Sequence, residues 1–229
     1  MKYGQLISAV VLACGLLGCT DFDGSLKERL QAEYDRMNET GNRAICYLAG
    51  HVRFPYIDDP TLDEGKIPAD LMRYYNINRE ELAIHLPLFA ELGLLERQPV
   101  SEGSPYFRYS LTEEGQKALY FWPGQGPAGV SRDLDDKAYF CYGRRVILKV
   151  TDIEDVRAAG GEYVYTEISY DNQLENVPEW ARDDRLLALF QQFTKYYEGK
   201  TYKGAGNVIK KDGAYYNAGG IGRLVIGHY

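Results

Sequence analysis

The side chains with the strongest intrinsic chemistry in this 229-residue chain are four cysteines, at 14, 19, 46 and 141, and three histidines, His51, His85 and His228. Zinc sites place thiolates or imidazoles a few residues apart, and no Cys-x-x-Cys pair occurs here, so no metal is expected. Three other catalytic signatures are missing as well: a nucleophile flanked as Gly-x-Ser-x-Gly, a phosphate loop ending in Gly-Lys-Ser/Thr, and a His-Glu-x-x-His helix. Lys203-Gly-Ala-Gly206 and Gly219-Gly-Ile-Gly222 could cradle a phosphate only if each followed a strand and opened a helix. Neither does, so both read as turn glycines. Asp133, Asp135 and Asp136 bring carboxylates together, but in a stretch that reads as flexible linker. Acid–base work needs fixed carboxylates with shifted pKa values. Trp180 reads as a core residue, with a ring-stacking ligand contact as the alternative. No catalytic residue and no cofactor is assigned.

The first nineteen residues carry the clearest pattern. Lys2 precedes an uncharged apolar run from Leu6 to Leu17. At about 12 residues the run is too short to cross roughly 30 Å of hydrocarbon as a helix, but it suits the apolar region of an export signal. It ends Leu16-Leu17-Gly18-Cys19, followed by the polar Thr20, Asp21 and Asp23. This resembles the lipobox of bacterial lipoproteins. The resemblance implies cleavage after Gly18 and acylation at Cys19, giving an anchor in which each buried methylene contributes about 0.8 kcal/mol. With Thr20 rather than Asp after the cysteine, the resemblance also implies sorting to the outer membrane, facing the periplasm. Cys14 would leave with the signal. Cys46 and Cys141 would then be the two exported thiols, in a compartment that permits disulfides. A Cys46–Cys141 bond is one expectation, and two buried free thiols are the other.

Composition excludes some partners. The chain is 45% hydrophobic and 13% aromatic, enough apolar material for a core, and its net charge is −7. Nucleic acid and anionic lipid surfaces both require a basic face, so neither is expected as a partner. Twenty tyrosines against eight phenylalanines suggest half-buried strand positions with a wet side.

Five regions are expected: a signal over 1–18, a tether over 19–24, an α+β domain over 25–122, a linker over 123–137 and a second, small α+β domain over 138–229. Ser25 and Glu28 form a capping box for a helix over about 26–38, which Gly41 ends. Residues 43–57 read as extended. The acidic turn Asp58–Gly65 lacks the spacing of a calcium loop. A short helix over Pro68–Tyr75 and a second over Asn78–Gly93, capped by Asn78, lead into Leu92-Gly-Leu-Leu-Glu-Arg97. Tyr106-Phe-Arg-Tyr-Ser-Leu-Thr112-Glu-Glu-Gly115 follows, with Thr112 as an N-cap. Residues 66–122 resemble a winged helix-turn-helix. The DNA-reading helix of that family would here carry Glu80, Glu81 and Glu91 against Arg79, so the fold is expected without the nucleic-acid function.

Pro123-Gly-Gln-Gly-Pro-Ala-Gly129 marks the linker. Residues 138–152 and 162–171 alternate as paired strands around Ala159-Gly-Gly161. Pro178 suits the first turn of a helix running to about Tyr197. Lys211-Asp-Gly213 gives a hairpin, and Leu224–Ile226 a closing strand. The second domain is therefore expected to place one main helix on an antiparallel sheet. Cys141-Tyr-Gly143 and the stretch from Tyr165 to Phe190 faintly resemble a family of exported proteins linked to carbapenem self-resistance. That resemblance implies a non-enzymatic periplasmic binding protein.

These readings converge on a non-catalytic, lipid-anchored envelope protein that binds a protein partner or small ligand. The alternative is an envelope hydrolase whose groups meet only in the folded chain.

Overall fold

The computed structural model describes residues 22–41, 43–63, 65–123, 136–191, 200–211, 214–217 and 225–226. The fold is α+β: helices stand beside small sheets whose strands pair almost entirely antiparallel. Helix α1 (Phe22–Glu39) precedes β1 (Ile45–Gly50), β2 (Tyr56–Ile57) and a 3-10 turn at Pro60–Asp63. Helix α2 (Met72–Glu91), β3 (Leu95–Pro99), β4 (Phe107–Leu111), α3 (Glu113–Ala118) and β5 (Leu119–Trp122) follow. Then come β6 (Lys137–Tyr142), β7 (Arg144–Arg157), β8 (Tyr163–Glu175), a 3-10 turn at Glu179–Arg182 and α4 (Asp184–Leu189). Strands β9 (Thr201–Lys211), β10 (Ala214–Asn217) and β11 (Val225–Ile226) complete the described elements.

Three sheets form, ordered β11-β1-β6-β5, β10-β9-β8-β7 and β2-β4-β3. All their pairings are antiparallel except that of β11 with β1. The first sheet corrects the expected division of the chain. β6 lies beyond the proposed linker yet pairs with β1 on one side and β5 on the other. The expected closing strand β11 also joins this sheet, beside β1, instead of a second domain.

The cores are shared across the linker too. Leu26, Leu30 and Tyr34 of α1 pack on Ile147, Ile168, Tyr170 and Val208, so the helix covering the second sheet comes from the N-terminal region. In return Trp180, Leu186 and Phe190 join Tyr47, Leu86, Phe89 and Phe140 in the largest core. Each helix goes where an apolar face lacks a cover, whatever its place in the chain.

Several local expectations are met and others corrected. The hairpin β3–β4 lies within the stretch that resembles a winged helix-turn-helix, with Leu95 opposite Leu111 and Pro99 opposite Phe107. Thr112 caps α3: its Oγ1 accepts the Gly115 N–H at 3.0 Å and donates to the Gly93 carbonyl at 2.7 Å. Thr112→Ala is expected to cost about 1 kcal/mol in urea unfolding, because an orphan N–H of the first turn loses its acceptor. A variant that unfolds with the wild type would show that water replaces the cap.

The two helices expected over 68–75 and 78–93 are one, α2. Asn78 does not cap. Its carboxamide accepts the His51 N–H at 2.9 Å and donates to the His51 carbonyl at 3.0 Å, so it binds the end of β1. Pro87 sits within α2. Having no N–H, it cannot donate to the carbonyl four residues back, on exposed Ala83. Ser25 is likewise no cap, because α1 begins at Phe22. The helix expected from Pro178 to about Tyr197 is broken after Arg182. Asp183 is extended there, and its Oδ1 accepts the Arg185 N–H at 2.9 Å to start α4; residues 192–199 lie outside the described part.

Gly204 belongs to β9 and is not a turn glycine. A Cβ there would lie 2.3 Å from the Tyr170 ring. Gly219–Gly222 are outside the described residues. The tyrosines are more deeply placed than a wet-sided strand needs. Tyr47, Tyr109 and Tyr170 are fully buried, and phenol pairs satisfy one another at Tyr34–Tyr170 (2.5 Å) and Tyr47–Tyr142 (3.1 Å).

Candidate functional site

Cys46 and Cys141 face each other directly across β1 and β6. They are joined by a disulfide that is fully buried and whose partners stand 95 positions apart in sequence. Of the two expectations for these thiols, the structure holds the bonded form. Cys19, the candidate lipidation site, lies outside the described residues, as do His228, Asp133 and Asp135.

Asp136 is described and is not a solvated linker residue. It is fully buried, and its carboxylate accepts from the Arg53 Nε. Burial of a carboxylate is tolerable when a guanidinium meets it. Arg53 also lies over the Phe121 ring, 5.4 Å from its centre. This pair fixes one wall of a cleft of about 510 Å3.

The cleft opens where β1 runs out. Gly50 has a φ of 145°, and a Cβ on it would fall 2.4 Å from Leu82 Cδ2 of α2. Glycine therefore lets the strand leave the sheet tight against the helix. His51, Val52 and Arg53 then form one side, Tyr56 and Asp63 the next, Lys66 and Ile67 the rim, and Tyr75, Asn78 and Arg79 of α2 the remaining wall. A relay of hydrogen bonds holds the wall. Arg79 Nη2 donates to the Asp58 carbonyl at 3.2 Å and Nη1 to the Tyr75 hydroxyl at 3.4 Å, and that hydroxyl donates to Asp63 Oδ2 at 2.8 Å. The acidic turn is self-consumed in the same way. Asp58 Oδ1 accepts the Phe107 N–H at 2.5 Å, and Asp59 Oδ1 accepts the Thr61 N–H at 2.9 Å.

Burial pushes the Tyr56 phenol up to about 12, and burial with the Asp63 hydrogen bond raises Tyr75 as well. Both stay protonated at neutral pH and so do not serve as bases. The wall gathers guanidinium, ammonium and phenol groups around one space, beside a single carboxylate, Asp63. Sequence reasoning missed it. The only linear hint is a local excess of cations, Lys66, Arg73 and Arg79, in an acidic chain.

A second, wider cleft of about 780 Å3 is lined by Glu91, Glu114, Glu179, Asp183 and Asp184 together with Trp180. Arg185 holds the Asp183 carboxyl below the usual range, the opposite of what a general acid needs. Trp180, the candidate ligand contact, is 8% exposed and packs edge-on against Tyr142 and Tyr47 at 5.4 and 6.4 Å. Its ring face is therefore core, although its Nε1 is buried with no partner among the described residues. His85 is core too. Its Nδ1 lies 3.2 Å from the Ala49 carbonyl, and its ring packs against Phe190.

Among the described residues no three His, Cys, Asp or Glu side chains are grouped to hold a metal ion, and no helix is long and apolar enough to cross a membrane. Comparison with protein-family models, with curated proteins and with solved structures returns no match for this chain.

Proposed function

We propose that this is a non-catalytic, lipid-anchored lipoprotein of the bacterial cell envelope, held through Cys19 on the periplasmic side of the outer membrane, where it binds a small ligand or a protein partner. The run ending Leu17-Gly18-Cys19 carries the reading. The cystine supports it, because a bond between Cys46 and Cys141 persists in an oxidising compartment and is rare in a reducing one. The binding half is supported by a cleft whose polar wall is pre-set by internal hydrogen bonds, the common condition of small-ligand sites.

Replacing Cys19 with serine is the test. Wild-type protein is expected in the membrane fraction, with acyl mass on the peptide beginning at residue 19. Cys19→Ser is expected in the soluble fraction without acyl mass. A variant that still sediments with membranes, or a native protein that retains Met1 and carries no fatty acyl group, overturns the proposal.

A further inference from the structure

The cleft between the end of β1 and α2 has a charge balance unlike the rest of the chain. Three cations line it, Arg53, Lys66 and Arg79, against one lining carboxylate, Asp63. Buried Asp136 neutralises Arg53, so Lys66 and Arg79 against Asp63 leave one net positive charge in a chain whose total is −7.

The donors are also underused. Arg79 has five N–H groups, and only two have partners among the described residues: the Asp58 carbonyl and the Tyr75 hydroxyl. Lys66 has three ammonium protons, and the Leu62 carbonyl takes one. Neither cation is ion-paired among the described residues. Those two bonds orient the Arg79 guanidinium, which also lies 5.7 Å from the centre of the Tyr75 ring. A guanidinium oriented in this way, with N–H groups to spare, matches a carboxylate or phosphate in two-point contact. Val52, Ile67 and the Tyr56 ring supply a small apolar floor. A cleft of about 510 Å3 is of the size that encloses a small molecule.

We infer that this cleft binds a small anion bearing a carboxylate or phosphate group, with Arg79 as the principal anchor and Lys66 closing over it. The inference deepens the binding half of the proposed function and does not depend on the lipid anchor. Lipidation could fail its own test while anion binding stands, and the reverse.

The test is calorimetric titration of the purified full chain with inorganic phosphate and with citrate, using glucose as the neutral control. Saturable binding of phosphate or citrate is expected, with none of glucose. Raising the salt should weaken it, because the attraction is partly coulombic. Arg79→Gln should weaken it by about tenfold or more, as loss of charge-assisted bonds does. Lys66 is exposed, so Lys66→Gln leaves the fold alone and provides an independent variant, expected to weaken binding less. Vesicles distinguish the sources of the anion. Competition with phosphate by phosphatidylglycerol but not phosphatidylcholine vesicles identifies a membrane headgroup; competition by neither identifies a soluble ligand. No heat with either anion, or undiminished binding in both variants, overturns the inference.

Discussion

The double variant Cys46→Ala/Cys141→Ala is expected to lose about 4 to 5 kcal/mol of stability, about a quarter or more of what holds an ordinary domain together. The reason lies mainly in the unfolded chain. A bond between partners 95 residues apart closes a long loop and removes many unfolded conformations. In the folded protein the two residues already face each other on paired strands, so little is gained there when the bond forms. Urea unfolding of the variant, and of the wild type with and without reductant, checks this. The variant and the reduced wild type should unfold at one lower midpoint, with melting about 10 to 15 °C below that of the oxidised protein. Equal midpoints for the oxidised protein and the variant would mean that the bond does not form or that the unfolded chain is already constrained.

Gly115→Ala is the second large effect, and its origin is in the folded state. Gly115 lies in α3, and a Cβ there would stand 1.9 Å from the Leu94 carbonyl oxygen and 2.9 Å from its carbon. Both are backbone atoms, so no side chain can swing aside. The same oxygen accepts the Thr112 N–H at 3.1 Å, so moving it also disturbs the start of α3. A loss of about 3 kcal/mol or more is expected, at the upper end of what an added methyl costs in a packed site. Gly160→Ala is the control, because a Cβ there meets nothing within 4 Å. It should stay within about 0.5 kcal/mol of the wild type. Similar denaturation midpoints for the two variants would show that α3 can move away from Leu94 at little cost.

What the residues disclose by themselves is the part governed by near neighbours. The Thr112 cap needs only the N–H three residues on. The β7–β8 hairpin needs only alternation around Gly160 and Gly161, and it spans Arg144–Arg157 and Tyr163–Glu175. What escapes is decided by partners far away. The Asn78 carboxamide is an N-cap in isolation, but the His51 peptide is the better partner once β1 lies against α2, and two expected helices fuse. Asp136 reads as a linker acid until Arg53 reaches it. The linker itself separates strands that pair, since β5 and β6 are hydrogen-bonded neighbours across it. For the cleft the difficulty is the same. Lys66 and Arg79 look like ordinary solvated charges until β1, the 3-10 turn and α2 bring them around one space.

The side-by-side placement of β11 and β1 governs the order of assembly. The strand that opens at Ile45 acquires this parallel neighbour only from Val225 and Ile226. During synthesis, therefore, one flank of β1 stays bare of that neighbour until Val225 and Ile226, some 180 residues further on, have been made. Pairings that distant close slowly, and an unpaired strand margin is a template for joining other chains.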